Sequence, residues 1–217
     1  MAQFINRELT EDETAVFDKD FLADAEALQT GKIDYSEFRR RSYERQRTAY
    51  LPKLLEHRKN GEWSKFVDLA LSVFEVMHDA FSFYDEVPDN MKYDFAIESY
   101  IHHGDSIPAV RKAVRGALRY GKPKLPPELA MQDEITVYRA GEEPIEKARY
   151  RISWTTDRET AVFFLQEYTG RHANHLYRAK IKPEKVIAYT NDREEHEVMQ
   201  YRGVYDIEEI EVSESNN

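Results

Sequence analysis

The sequence predicts an α+β protein in which an N-terminal helical lobe is followed by a small, mostly antiparallel β core. Apolar residues recur at helical spacing as far as about residue 121, whereas short runs rich in β-branched and aromatic residues follow from residue 134. The proline-rich stretch 122–133 between them is typical of a connection. Helices that precede the strands, rather than alternating with them, indicate the α+β class.

Helices are predicted throughout the first half of the chain. A capping box formed by Thr10 and Glu13 begins the first of them. The second spans about 36–61, with Ser36 as its predicted cap and a bend expected at Pro52. The remaining predicted helices cover residues 64–84, 90–102 and 108–119.

Strands dominate the predicted second half, interrupted by one helix from Asp157 to about Tyr168. The predicted strands are Ile135–Arg139, Tyr150–Ser153, Leu176–Ile181, Val186–Tyr189, Glu197–Tyr201 and Ile207–Val212. We divide the chain into an N-terminal helical arm, 1–61, and a larger domain, 62–217. The domain consists of a helical lobe (62–121), a linker (122–133), the β core (134–212) and a polar tail (213–217).

The composition of the 217 residues, 41% hydrophobic and 33% charged, is that of a globular protein. The absence of cysteine excludes disulfides, thiolate zinc sites and a cysteine nucleophile, and it favours a cytoplasmic protein. No apolar run approaches the ~18 residues of a membrane span, and the first residues lack the features of a signal peptide, so no membrane association is expected. His172 and His175 lie in a predicted loop, and no metal site is expected.

The net charge of −10 argues against general attraction to nucleic acid. Two segments nevertheless concentrate positive charge. Residues 32–60 are rich in arginine, and residues 111–124 contain lysine and arginine but no acidic residue. A surface that binds anions is expected to include one of these basic segments.

The functional prediction depends on three motifs of the β core: VYRAG (137–141), SWTTD (153–157) and EEHEVM (194–199). Glu195 and Glu197 lie at strand spacing and are expected to point to the same face of the sheet. Two such carboxylates repel each other unless a cation lies beside them, and a substrate that develops positive charge would supply one. Arg139 precedes small residues, including Gly141, that allow a ligand to approach the backbone.

The order and residue types of these motifs resemble the mono-ADP-ribosyltransferases of the arginine–serine–glutamate class, which use NAD as the ADP-ribose donor. The resemblance covers about residues 134–212. The proteins with these motifs that this chain resembles include phage and bacterial effectors and toxins. It implies that Arg139 holds the NAD phosphates and nicotinamide ribose and that Ser153 supports the catalytic glutamate. It assigns to Glu197 the stabilisation of the oxocarbenium-like ribose, and to Glu195 the activation of a protein arginine as acceptor.

The same resemblance implies further contacts around NAD and requires helices that cover it. It assigns NAD contacts to Gly141, Trp154, Thr155, Phe164 and Arg171, and an acceptor contact to Tyr189. Because only residues 140–152 separate Arg139 from Ser153, the cover of the NAD cleft is expected to come from the helices predicted between 64 and 119. The basic segment 111–124 is expected close to the cleft entrance.

Two alternative functions remain open at the level of the sequence. In the first alternative, the acceptor is a nucleic acid, RNA or DNA, which the basic segments 32–60 and 111–124 would bind. The second alternative is a non-catalytic module that binds a partner through the arm. The sequence also leaves open an inhibitory partner and hydrolysis of NAD without an acceptor.

Overall fold

The computed structural model describes residues 19–166 and 174–211, which form nine α-helices and a six-stranded antiparallel sheet. The predicted α+β class, with helices in the N-terminal part, is confirmed. The capping box at Thr10, the loop residue Arg171 and the polar tail lie outside the described residues. Among those described, no helix is long and apolar enough to cross a membrane.

A first compact unit ends at Pro88 and a second begins at Asp89, whereas the sequence places the boundary between residues 61 and 62. The described helices of the first unit are α1 (Lys19–Gln29), α2 (Tyr35–Lys59), α3 (Trp63–Ser72) and α4 (Phe74–Ser82). Helices α3 and α4 both pack against α2, which explains why the segment after residue 61 belongs with the arm.

Helix α2 is capped by Asp34, not by Ser36 as the sequence predicts. The Asp34 carboxylate accepts a hydrogen bond of 2.8 Å from the Glu37 N–H. Because the helix begins at Tyr35, Ser36 lies inside its first turn and not at the N-cap position. Pro52 lies within α2, which continues to Lys59.

The single helix predicted over 64–84 is interrupted at Val73. This residue has extended backbone dihedrals, φ −126° and ψ 98°, and its side chain is buried. A β-branched residue tolerates the extended conformation well, and burying it contributes apolar contact that offsets the broken helix. The result is two short helices instead of one long one.

In the second unit, the longest helix is α5 (Asp89–His103), followed by α6 (Pro108–Gly116), α7 (Pro127–Ala130), α8 (Ile145–Ala148) and α9 (Arg158–Gln166). Helix α7 lies within the predicted linker. The strands are β1 (Ile135–Gly141), β2 (Ser153–Thr155), β3 (His175–Ile181), β4 (Ala188–Thr190), β5 (Glu197–Met199) and β6 (Val204–Glu209). Their spatial order is β4-β5-β2-β1-β3-β6, so the three strands that carry the motifs are neighbours.

The strand boundaries differ from the predictions, most of all in β2 and β6. Strand β2 begins at Ser153 rather than Tyr150, because the N–H groups of Tyr150 and Arg151 bond to carbonyls of α8 and continue its turn. Strand β6 begins earlier than predicted, at Val204, which pairs with Ile181 of β3. The core beneath the sheet is formed by buried residues that include Val137, Trp154, Tyr177, Ala179 and Val198.

Replacing Gly121 by alanine is expected to destabilise the second unit by about 1–3 kcal/mol. A Cβ at this position would lie 2.7 Å from Tyr93 Cβ and overlap its ring. Tyr93 cannot move freely, because its buried hydroxyl donates a 2.7 Å hydrogen bond to the Ile187 carbonyl. Gly116→Ala is the matched control, since a Cβ there meets nothing within 4 Å. Urea midpoints of the two variants would be compared, and equal midpoints would contradict the predicted overlap.

Candidate active site

A cavity of about 450 Å³ is lined by β1, β2 and the turn before β5. It brings together Arg139, Ser153, Glu195 and Glu197, the four residues predicted to be catalytic. Helical cover comes from α9 and from the end of α5, one of the helices expected to supply it. The described lining contains no residue of the basic segment 111–124.

Arg139 is held in one orientation by two acceptors. Its Nε donates to Glu143 Oε1 at 2.8 Å, and its Nη1 donates to the Ser153 carbonyl at 2.6 Å. Arg151 Nε lies 3.2 Å from the same Glu143 oxygen. Burial raises the pKa of Glu143, but the charge and hydrogen bond of Arg139 outweigh burial, so that the pKa lies below the ordinary value. Glu143 is therefore an ionised partner that orients the arginine.

Gly141 provides the space for this carboxylate. A Cβ at Gly141 would lie 2.8 Å from Glu143 Oε2, and the Glu143 carbonyl accepts a 2.5 Å hydrogen bond from the buried Tyr177 hydroxyl. The sequence predicts that Gly141 lets a ligand approach the backbone, whereas in the structure a side chain of the protein takes up that space. Glu143 was missed by sequence reasoning, and its separation of four residues from Arg139 was the available signal.

Glu197 is the most enclosed carboxylate of the cavity, with 4% of its surface exposed. It begins β5 and pairs with Thr155 of β2. Burial raises the pKa of Glu197, and the neighbouring Glu195 charge adds to the increase. A hydrogen bond with the Ser153 side chain and the charges of Arg193 and Arg139 act in the opposite direction. The bond with Ser153 agrees with the supporting role expected of this serine.

Glu195 and His196 do not continue the strand, so the prediction that Glu195 and Glu197 share a regular strand face is wrong. Glu194 has φ 58° and His196 has φ 46°, both in the left-handed region that non-glycine residues rarely adopt. His196 N–H donates to Asn191 Oδ1 at 2.9 Å, which ties the turn to its own start. Both carboxylates nevertheless line the cavity.

Thr155 connects this turn to the sheet and to α9. Its hydroxyl donates to the Glu195 carbonyl at 2.6 Å and accepts from the Asp157 N–H at 3.0 Å. Asp157 in turn accepts hydrogen bonds from Glu159 and Thr160 N–H, so it caps α9. Thr155 lines the cavity, and its hydroxyl fixes the backbone of Glu195.

Arg193 lies between the two predicted catalytic glutamates. Its Nη2 is 2.9 Å from Glu195 Oε2 and 3.4 Å from Glu197 Oε2. The sequence requires a cation beside these carboxylates, and the structure supplies a guanidinium of the chain itself. Sequence reasoning missed Arg193, although it is located two residues before Glu195 in a predicted loop.

The other residues predicted to bind NAD or the acceptor differ in their placement. Phe164 of α9 lines the cavity. Trp154 also contributes to the lining, but it is 2% exposed and packs within the core. Tyr189 is not among the described lining residues; its hydroxyl lies 3.0 Å from His196 Nδ1, so it contacts the turn. Arg171 lies outside the described part of the chain.

The cavity combines a fixed arginine, a buried carboxylate and a second carboxylate that holds a guanidinium. Residues 19–166 and 174–211 contain no group of three or more His, Cys, Asp or Glu that could hold a metal ion. Comparison of the chain with protein-family models, with curated proteins and with solved structures gave no match.

Proposed function

We propose that the protein transfers ADP-ribose from NAD to an arginine side chain of a protein and releases nicotinamide. The observation that carries the proposal is the convergence of Arg139, Ser153, Glu195 and Glu197 on one cavity of about 450 Å³. This volume is within the ordinary range for cofactor-sized ligands, about 300–1,000 Å³. The four residues come from three separate motifs, so their convergence is a property of the fold and not of one short string.

Arg139 is suited to the diphosphate of NAD because its plane is already fixed. A guanidinium carries five N–H donors, and the bonds to Glu143 and the Ser153 carbonyl use Nε and Nη1. Donors therefore remain for a phosphate oxygen, and their direction is set before the ligand binds. Preorganised charge of this kind needs no rearrangement during the reaction.

Glu197 is suited to stabilise positive charge on the nicotinamide ribose. When the bond between ribose and nicotinamide breaks, the ribose gains oxocarbenium character, as it does in glycoside cleavage. Glu197 is shielded from water, so an ionised carboxylate there attracts this charge more strongly than an exposed one. Ser153 bonds to the carboxylate and favours its ionised form.

The position of Glu195 favours a guanidinium acceptor. Its carboxylate already binds the guanidinium of Arg193 at 2.9 Å, and the same guanidinium nitrogen lies 3.4 Å from Glu197 Oε2. Carboxylates pair with guanidinium groups through strong, directional hydrogen bonds. An arginine from another protein could make the same contact after displacing Arg193.

A nucleic acid acceptor is the second candidate, and one observation favours it. Several basic residues of 111–124 are exposed, namely Lys112, Arg115, Arg119, Lys122 and Lys124. The other basic segment, 32–60, favours it less, because its charge is largely compensated within the first unit. The pairs there are Arg40 with Glu37 and Glu44, Arg41 and Arg45 with Asp24, Arg47 with Asp79, and Arg58 with Glu86.

Replacing Glu195 by glutamine is expected to separate transfer from NAD hydrolysis. Transfer to a small guanidino compound such as agmatine should fall by roughly 100- to 10,000-fold, because the acceptor loses its general base. Release of nicotinamide without acceptor should persist, since Glu197 and Arg139 are unchanged. Both rates would be measured on the purified chain by chromatography of nicotinamide and ADP-ribosylated agmatine.

Glu208→Gln is the matched control, because Glu208 is an exposed carboxylate paired with Arg178 on the far strand of the sheet. A bacterial lysate with labelled NAD then identifies the acceptor class. If the label is lost after nuclease treatment and kept after protease treatment, the acceptor is nucleic acid and not protein. If the folded wild type neither binds nor consumes NAD in any of these assays, the proposed enzyme activity is wrong and the partner-binding module takes its place.

A further inference from the structure

We propose that Arg193 is a modification site of the protein's own activity, accepting ADP-ribose from NAD bound in the same molecule. The inference rests on the proposed function and adds an acceptor that belongs to the chain. It comes from one contact: a guanidinium nitrogen of Arg193 lies between the carboxylates of Glu195 and Glu197.

An acceptor nitrogen has to satisfy two requirements in this site. It must contact the group that removes its proton, and it must lie beside the ribose carbon that Glu197 stabilises. Arg193 Nη2 is 2.9 Å from Glu195 Oε2, which meets the first requirement. The same nitrogen is 3.4 Å from Glu197 Oε2, the carboxylate that the proposed function places against the ribose, which meets the second requirement.

The other arginines of the described cavity lining are held differently. Arg139 and Arg151 both contact Glu143, at 2.8 Å and 3.2 Å, whereas Arg193 contacts the two glutamates that the proposed function makes catalytic. Arg193 is 55% exposed and lies in the turn between β4 and β5, beside residues with left-handed backbone. Its side chain therefore has room to carry a bulky product.

The proposed step balances without a redox partner. The bond between the ribose C1′ and the nicotinamide nitrogen breaks, and its electron pair leaves with nicotinamide. Nη2 of Arg193 donates its electron pair to C1′ and forms the new bond, while its proton passes to Glu195 and then to water. The products are ADP-ribosylated Arg193, nicotinamide and one proton.

A nucleophile on the same chain has a large kinetic advantage over a dissolved one. Well-oriented intramolecular groups reach effective concentrations of about 10⁵ M or more. The reaction is therefore expected to occur without any added acceptor and at a rate per molecule that does not change when the protein is diluted.

The test uses the purified full chain with NAD as the only addition. Intact mass is expected to increase by one ADP-ribosyl group, and peptide mapping is expected to place it on Arg193. Arg193→Lys should lose the label, because lysine lacks the guanidinium, and its thermal unfolding checks that it folds. Arg178→Lys is the matched control and should be labelled as wild type. Arg178 is 49% exposed and pairs with Glu208 at 2.6 Å, away from the cavity.

Nicotinamide is measured in the same samples, so that the two proposals fail separately. Nicotinamide release with no label on the chain, or with label on another residue, would overturn self-modification and leave the proposed function standing. Equal labelling of Arg193→Lys and wild type would do the same. Label on Arg193 of a tagged, inactive Glu197→Gln chain mixed with wild type would show transfer between molecules and overturn the intramolecular step. No nicotinamide release at all would overturn both proposals.

Discussion

Replacing Glu197 by glutamine is expected to reduce nicotinamide release from NAD by roughly 100- to 1,000-fold. Glutamine preserves the size of the side chain and can still bond to Ser153, but it carries no charge to stabilise the ribose. NAD binding should change little, because Arg139 and its two acceptors are untouched. Initial rates at saturating NAD would measure the first effect, and titration calorimetry the second.

The same substitution is expected to stabilise the protein at neutral pH. Burial raises the pKa of Glu197 above its ordinary value, so the folded protein binds this proton more tightly than the unfolded chain does. The free energy of unfolding of the wild type therefore decreases as pH rises through the raised pKa. Glutamine does not ionise, and Glu197→Gln should melt at a higher temperature than wild type at pH 7.

This difference in stability between variant and wild type should shrink as pH falls below the ordinary glutamate pKa of about 4.3, where the wild-type carboxyl is protonated in both states. Glu208→Gln, at an exposed pair, should show neither the loss of rate nor the pH-dependent gain in stability. A rate loss below tenfold would remove Glu197 from the catalytic role. If Glu197→Gln is less stable than wild type at pH 7, the ion pair of Glu197 with Arg193 stabilises the wild type by more than the burial of the carboxylate costs.

The sequence was sufficient to predict the class of fold and the neighbourhood of the motif strands. The change near residue 134 from apolar residues at helical spacing to short runs of β-branched and aromatic residues marks where the sheet begins, since β1 starts at Ile135. Arg139, Ser153 and Glu197 were chosen because their motifs resemble those of the ADP-ribosyltransferases, and the structure brings the three residues together because β2 lies between β1 and β5 in the sheet. The contact of Ser153 with Glu197 follows from that pairing.

The details of the site depend on contacts that local patterns do not encode. The turn that contains Glu194 and His196 is held in part by the Thr155 hydroxyl, which donates to the Glu195 carbonyl from a position 40 residues earlier in the sequence. The period of two at Glu195 and Glu197 therefore predicted a shared strand face at a place where the chain forms a turn. The break at Val73 was missed for a related reason, because packing of two helices on α2 outweighed the helical pattern.

The ionic partners of the motifs were likewise hidden in the sequence. Glu143 and Arg193 are ordinary charged residues in predicted loops, and a chain with 41 acidic and 31 basic residues has many of them. Only the three-dimensional arrangement shows that Glu143 orients Arg139 and that Arg193 lies between Glu195 and Glu197. The first contact fixes the orientation of the predicted NAD-binding arginine, and the second supplies from the chain itself the cation that the sequence analysis assigned to the substrate.

Replacing Arg139 by methionine is expected to have two separable effects. NAD binding should weaken, with kcat/KM for NAD reduced by about 100-fold, because the diphosphate loses its oriented donors. Stability should also decrease, by up to about 3–5 kcal/mol, because the buried Glu143 carboxylate loses its main partner. Arg151, 3.2 Å from the same oxygen, keeps the loss of stability towards the lower end.

The double substitution Arg139→Met with Glu143→Gln distinguishes these effects. Glutamine removes the unpaired buried charge, so most of the lost stability should return, as measured by urea unfolding. NAD binding should not return, because the donors for phosphate are still absent. A double variant that binds NAD as tightly as wild type would mean that Arg139 acts only to neutralise Glu143. In that case the anion-binding role would pass to Arg151 or Arg193, the other arginines of the described cavity lining.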